Sequence, residues 1–216
     1  MAQREIQVFN AVQRLVHWLH VVAFTVLALT GFVLYAPVQS LAMGYAGWTL
    51  RLLHRIAAIL LALVPLIYLI FSPRRLFDSL KRIFTWTKED VGWFKAFPRY
   101  YFLGDEEAMP PQDKFNAGQK MFYIVTAVCL LLFGVTGFLM WFGKFAIPTW
   151  LFLWSVFIHD LCFIAYVCFF LIHFALCAVH PLMRGSLNGM LFGWLPEEYI
   201  KHHHARYYEE LVSEKK

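Results

Sequence analysis

Four stretches of the chain lose the mixture of polar and apolar positions almost entirely: residues 16–35, 50–71, 121–142 and 150–178. Each reaches the roughly 20 residues that a helix needs to cross the hydrocarbon of a bilayer. None keeps the polar face that a helix on a water-exposed core would carry. The pattern predicts an all-α membrane protein, a four-transmembrane-helix bundle formed as one domain over residues 1–216. Pro65 falls inside the second span, where neighbouring groups can satisfy the carbonyl it frees.

Between the second and third spans the pattern changes. Leu76, Phe77, Leu80, Ile83 and Phe84 recur at helical spacing with Lys81 and Arg82 among them, which fits either an amphipathic segment on the membrane surface or a solvated basic face. Residues 85–118 then mix Trp86, Trp93, Phe94, Phe97, Tyr100, Tyr101 and Phe102 with charges. So aromatic a connection is a covered surface, packed on the protein's own helices or receiving a partner.

Composition agrees with the spans: 60% of residues are hydrophobic and the mean hydropathy is +0.57, above the roughly 45–50% apolar share of soluble domains. The net charge of +5 is unevenly placed. Arg4, Arg14, Arg74, Arg75, Lys81, Arg82, Lys88, Lys95, Arg99 and Arg184 fall on one side of a four-span topology, against Arg51, Arg55 and Lys144 on the other. The basic side faces the cytoplasm, so both termini are expected there, with the 72–120 connection and the 181–216 tail, in an inner (plasma) membrane. The first span lacks an A-x-A-like exit and reads as a retained helix. Nothing points to nucleic acid.

Polar residues inside the spans are few, and four of them are His17, His54, His159 and His173. An imidazole in hydrocarbon is costly without a partner, so each marks a candidate site. His159 and His173 share one run, and 14 residues at 1.5 Å and 100° each put them about 21 Å apart in depth and about 40° apart in azimuth. One helix face therefore offers two ligands at two depths. His17 opens the first span and His54 the second, so antiparallel helices set these two at opposite depths as well. The levels pair as His17 with His173 and His54 with His159. Two bis-His haems fit this arrangement, and bis-His ligation leaves no open position for substrate, which suits electron transfer.

Cys129, Cys162, Cys168 and Cys177 lie in the third and fourth spans, and no C-x-x-C-H occurs, so any haem would be held non-covalently. Asp160 is an isolated intramembrane acid. No internal repeat, phosphate-cradling loop or pair of catalytic carboxylates is evident.

Several blocks become specific together: Arg14-Leu15-Val16-His17-Trp18, Arg51-Leu52-Leu53-His54, Phe115-Asn116-Ala117-Gly118-Gln119-Lys120, Ile158-His159, Ile172-His173 and Lys201-His202-His203-His204-Ala205-Arg206-Tyr207-Tyr208. In this order they closely resemble the gamma subunits of membrane-bound respiratory formate dehydrogenases, which are di-haem cytochromes b, over nearly the whole chain. The resemblance implies His54 and His159 as ligands of an outer haem b, and His17 and His173 of an inner one. It implies a quinone acceptor near the inner haem, with Asn116, Gly118 and Gln119 at its site. An iron–sulfur (beta) subunit would deliver electrons from a molybdenum or tungsten catalytic (alpha) subunit, where formate is oxidised. Amide donors suit a quinone oxygen that gains charge, and a glycine admits close approach. The same residues also suit a helix start, with Asn116 as N-cap and Gln119 at N3.

The chain departs from the family where the tail often reads His-His-Pro-Arg-Trp and here runs His203-His204-Ala205-Arg206-Tyr207. Those tail histidines are expected on a solvated or subunit-contacting surface. His20 and His180 compete as ligands but pair less well in depth, while Arg51 and Arg55 flank His54 as propionate partners or interfacial anchors. Two other functions stay open on the sequence: a cytochrome b subunit of another respiratory complex, such as a membrane-bound nickel–iron hydrogenase, and a haem-free membrane anchor.

Overall fold

The computed structural model describes residues 4–35 and 42–213. Along the chain run strand β1 (Glu5–Gln7), helices α1 (Ala11–Tyr35), α2 (Gly44–Phe71), α3 (Pro73–Phe84), α4 (Lys88–Leu103), α5 (Ala117–Phe142) and α6 (Thr149–Phe174), a π-helical turn over Ala175–Val179, α7 (Leu187–Phe192), strand β2 (Trp194–Pro196), α8 (Glu197–His203) and α9 (Ala205–Ser213). The four expected spans lie within α1, α2, α5 and α6 with its π-helical continuation, which are long and apolar enough to cross a membrane. At most 17% of the residues in their most apolar windows are buried within the protein. Their apolar side chains face outward, as they do where lipid replaces water. Helices α1, α2 and α5 begin several residues before the spans, because hydropathy marks depth in the bilayer and not where the helix starts.

The chain forms two compact units. One gathers Val12–Pro73 and Ala127–Cys168. In it α1 and α2 run antiparallel: Gln13, early in α1, donates from Nε2 to Tyr68 Oη, late in α2, at 2.9 Å. Between the helix ends Val16 and Ala23 pack on Leu61 and Val64. Helices α5 and α6 are likewise antiparallel, with Phe133 against both His159 and Tyr166. Tyr166, only 1% exposed, also meets Phe24 and ties α6 to α1. Close packing around single polar contacts is how helices associate where lipid is as apolar as their side chains.

The other unit comprises the described residues of Met1–Ala11, Arg74–Thr126 and Phe169–Lys216. Helix α4 starts at a capping box in which Asp90 accepts from the Thr87 backbone N–H, and it ends at Gly104, whose φ of +70° closes the helix. The connection's aromatic residues divide. Trp93, Tyr100 and Tyr101 turn inward with Ala117 and Met183, while Trp86, Phe94 and Phe102 stay exposed. A second core of Val8, Leu195, Ile200 and Tyr207 lies against the β1–β2 ribbon, whose antiparallel register pairs Ile6 with Leu195. That ribbon was not foreseen, since strands of three residues leave no alternation to read. Arg82 binds both carboxylate oxygens of Glu210 at 2.9 and 2.6 Å and Asp113 at 2.7 Å, which fastens the tail to the connection. Arg206 adds Thr87 at 2.9 Å. Helix α3 buries Ser79 and Ile83 and exposes Phe77, Leu80 and Phe84, as a helix on a membrane surface would.

Candidate functional site

The structure brings His54 of α2 and His159 of α6 together in the first unit, ring centroids 6.4 Å apart and planes at 51°. Each ring is held by a hydroxyl on the preceding long helix: His54 Nδ1 lies 2.8 Å from Thr30 Oγ1, and His159 Nδ1 lies 2.8 Å from Thr136 Oγ1. Glycines stand next to both rings. A Cβ at Gly31 would meet His54 Cε1 at 3.5 Å, and one at Gly137 would meet His159 Cε1 at 3.6 Å. With Nδ1 occupied on both sides, Nε2 is the nitrogen left on each ring. Two imidazoles sharing one metal through bonds of about 2.0–2.1 Å, each nitrogen lying about 1.1 Å from its ring centre, have centroids about 6.3 Å apart. At the observed spacing the two rings would be able to share a single iron, the donor set of bis-His haem ligation.

The second unit holds an apolar cavity of about 300 Å³. Its lining includes His173, Asn116, Gly118, Gln119, Trp93 and Phe122, so the glutamine–asparagine block and one of the intramembrane histidines open on the same space. His173 stacks on Phe122 at 4.5 Å and 17°, and its Nδ1 is 3.6 Å from Cys177 Sγ. Asn116 and Gln119 form a reciprocal cap on α5: Asn116 N–H donates to Gln119 Oε1 at 3.0 Å, and Gln119 N–H donates to Asn116 Oδ1 at 2.9 Å. The helix-start reading therefore holds in full. It uses both amide oxygens, and the side-chain NH₂ groups, which are pure donors, remain. Gly118 is required sterically, since a Cβ there would fall 2.6 Å from Trp93 Cη2 and 2.9 Å from Cζ2.

Behind this block sits a charge pair that the sequence did not single out. Lys120, with no exposure, places Nζ 2.9 Å from both Asp90 oxygens and from Thr85 O. One side chain thereby clamps the start of α5 to the start of α4. The spacing of 30 residues hides the pair from any local pattern. Tyr101 also lines the cavity, and burial pushes its phenol well above the ordinary range, so its hydroxyl stays protonated.

The remaining histidines separate. His17 belongs to the first unit and His173 to the second. His17 is edge-on to Trp18, and its buried Nδ1 makes no hydrogen bond among the described residues. A buried polar atom left so calls for a partner of another kind. His20 is engaged, its Nε2 2.6 Å from Tyr166 Oη, and His180 Nε2 donates to Tyr101 O at 2.9 Å. Of the three tail histidines only His202 is exposed. His203 Nδ1 pairs with Tyr100 Oη at 2.7 Å and His204 Nδ1 with Asp113 O at 2.7 Å, and burial holds both imidazoles below their ordinary pKa. The expected histidine surface is thus mostly an internal brace, because α8 ends at His204, whose φ of −138° and ψ of 49° are not helical, and two of the three rings turn inward. Arg55 lies over Trp141 at 5.0 Å and Arg51 donates to Ala42 O at 3.1 Å, as interfacial anchors do.

Comparison with known proteins agrees with a helical membrane protein of the cytochrome b kind. The cytochrome b556 subunit of the nitrate-inducible formate dehydrogenase of Escherichia coli K12 is 29% identical over 208 residues, covering 93% of this chain and 88% of the relative. The cytochrome b556(fdo) subunit of formate dehydrogenase from the same organism is 23% identical over 217 residues, covering 96% and 95%. A formate dehydrogenase cytochrome b556 subunit of Haemophilus influenzae is 29% identical over 132 residues, covering 59% and 53%. The profile of one family spans residues 8–193, from before α1 to the end of α7, and takes in all four long helices with their histidines. By that match this chain, an integral membrane electron carrier, belongs to the prokaryotic cytochrome b561 family.

Proposed function

We propose that the chain is the di-haem cytochrome b subunit of a membrane-bound formate dehydrogenase, conducting electrons from an iron–sulfur partner subunit to a quinone. His54 and His159 would hold one haem, and His17 and His173 are the candidate ligands of the other. The observation that carries this reading is the His54–His159 pair, with a centroid spacing of 6.4 Å and both Nδ1 atoms engaged by hydroxyls. When bound, haem b supplies reversible one-electron transfer, and saturating its iron with imidazoles suits it to conduction over oxygen chemistry.

The chain's residues do the rest. Their histidines would hold two carriers at two depths, and the apolar helices exclude water. At the cavity the NH₂ groups of Asn116 and Gln119 donate to quinone oxygens as these gain charge, Gly118 leaves room beside the indole of Trp93, and the Tyr101 hydroxyl offers a further donor. The charge bias supports a cytoplasmic side for the termini, this cavity and His173, from which the quinone's protons would come. Each electron moved inward against 100 mV stores about 2.3 kcal/mol. Formate oxidation lies in a partner with molybdenum or tungsten, reached through the iron–sulfur subunit.

A pyridine haemochrome assay on the purified chain tests the reading: two non-covalent haems b per chain are expected, with His54→Ala or His159→Ala removing one and His17→Ala or His173→Ala removing the other. One haem or none in the unaltered chain refutes it. Co-purification with a nickel–iron subunit instead of a formate dehydrogenase would reassign the complex.

A further inference from the structure

Two hydroxyls occupy equivalent places that the ligand assignment leaves unused. Leu29-Thr30-Gly31-Phe32 on α1 and Val135-Thr136-Gly137-Phe138 on α5 differ only at the first residue, and each threonine is 5% exposed or less. Thr30 Oγ1 donates to Val26 O at 2.7 Å, and Thr136 Oγ1 donates to Leu132 O at 2.6 Å, both within their own helix. A hydroxyl has one proton, and here the helix carbonyl takes it. The 2.8 Å contacts to His54 and His159 must then run the other way, with Nδ1–H donating to oxygen. The opposite tautomer would set an N–H at Nε2, where neither ring makes a hydrogen bond among the described residues, and would leave that donor unmatched in hydrocarbon.

We propose that Thr30 and Thr136 are positioning residues for the His54 and His159 ligands: each fixes the Nδ1–H tautomer, turns the Nε2 lone pair toward the iron, and adds electron density to the imidazole. The neighbouring Gly31 and Gly137 leave space beside each ring, so helix, hydroxyl and glycine recur as one device on both sides of the site. Outer-shell partners of a ligating histidine fix its orientation and raise its basicity, and losing one costs about 10- to 100-fold in affinity. A more basic imidazole favours ferric over ferrous iron. Removing the hydroxyl should therefore raise the potential of this haem and weaken its binding, and should leave the other haem unchanged.

This inference rests on the ligand assignment, and the test separates the two. In the purified full chain Thr30→Val and Thr136→Val keep the shape of the side chain and remove the acceptor, while Thr30→Ser and Thr136→Ser keep the acceptor. Haem affinity is read by competition with a haem scavenger, and potential by spectroelectrochemical titration. The valine variants are expected to lose 10- to 100-fold in affinity for one haem and to shift its potential upward, about 59 mV for each tenfold change in the ferric-to-ferrous preference. The serine variants should return both values to those of the unaltered chain. Valine variants with unaltered affinity and potential overturn the proposal, as do serine variants as impaired as the valine ones, because packing alone would then explain the loss. Should a valine variant fail to fold, the serine variant decides alone: a shifted potential in it refutes the role of the hydroxyl. Retention of both haems in His54→Ala would instead refute the ligand assignment itself.

Discussion

Asn116 allows capping and quinone binding to be separated, because the two use different atoms of one side chain. Its Oδ1 accepts from Gln119 N–H at 2.9 Å, so the oxygen caps α5 and the NH₂ is what a quinone oxygen would meet. Asn116→Asp keeps the oxygen, and aspartate is as good an N-cap as asparagine. It also removes the donor and sets an acceptor where charge develops on the quinone. The stability of Asn116→Asp should stay within about 0.5 kcal/mol of the unaltered chain, whereas Asn116→Ala should lose about 0.5–2 kcal/mol with the cap. A hydrogen bond to an oxygen that becomes charged contributes about 1.5–3 kcal/mol, so both variants should slow quinone reduction by roughly 10- to 100-fold. The assay pairs quinone-linked turnover in the complex with thermal unfolding in detergent and a reduced-minus-oxidised haem spectrum. Normal turnover in Asn116→Asp would refute the donor role and leave Asn116 as a cap alone. Loss of haem in the same variant would make it a structural residue.

Gly118→Ala should destabilise the protein by about 1–3 kcal/mol, since the new methyl would lie 2.6 Å from a Trp93 ring that is itself buried; combined with Trp93→Phe, which withdraws the clashing atoms, the loss should be much less than the sum, and additivity would refute the steric account. Lys120→Ala leaves Asp90 as an unpaired buried charge and should cost about 3–5 kcal/mol in chemical unfolding, a loss absent if the pair is solvated. Burial lowers the His203 imidazole from 6.5 to about 4, so the unfolded chain takes up the proton first as pH falls. The stability this provides is complete above about pH 6.5 and is lost toward pH 4, and His203→Gln should flatten that part of the melting-temperature profile.

The four spans, the histidines within them and the Asn116–Gln119 block were legible in the chain itself, because lipid imposes one constraint everywhere. A backbone in hydrocarbon must be helical, its outward side chains must be apolar, and any imidazole among them must have a reason. Spacing of 14 residues on one helix placed His159 and His173 on a common face without any knowledge of neighbours. The aromatic connection was legible only as a covered surface, and that its Trp93 faces inward while Phe94 faces out depended on packing against Ala117 and Met183. Partners distant in sequence were decided by tertiary structure alone: Lys120 with Asp90, Arg82 with Glu210, and the tail histidines with Tyr100 and Asp113. The paired Thr-Gly-Phe segments stood in the sequence as well, yet a threonine in a membrane helix ordinarily bonds its own carbonyl four residues back. Only the antiparallel packing of α1 on α2 and of α5 on α6 gives each hydroxyl a second partner, the Nδ1 of a histidine 24 or 23 residues away, and a hydrogen bond between helices is a property of their register that neither helix carries by itself.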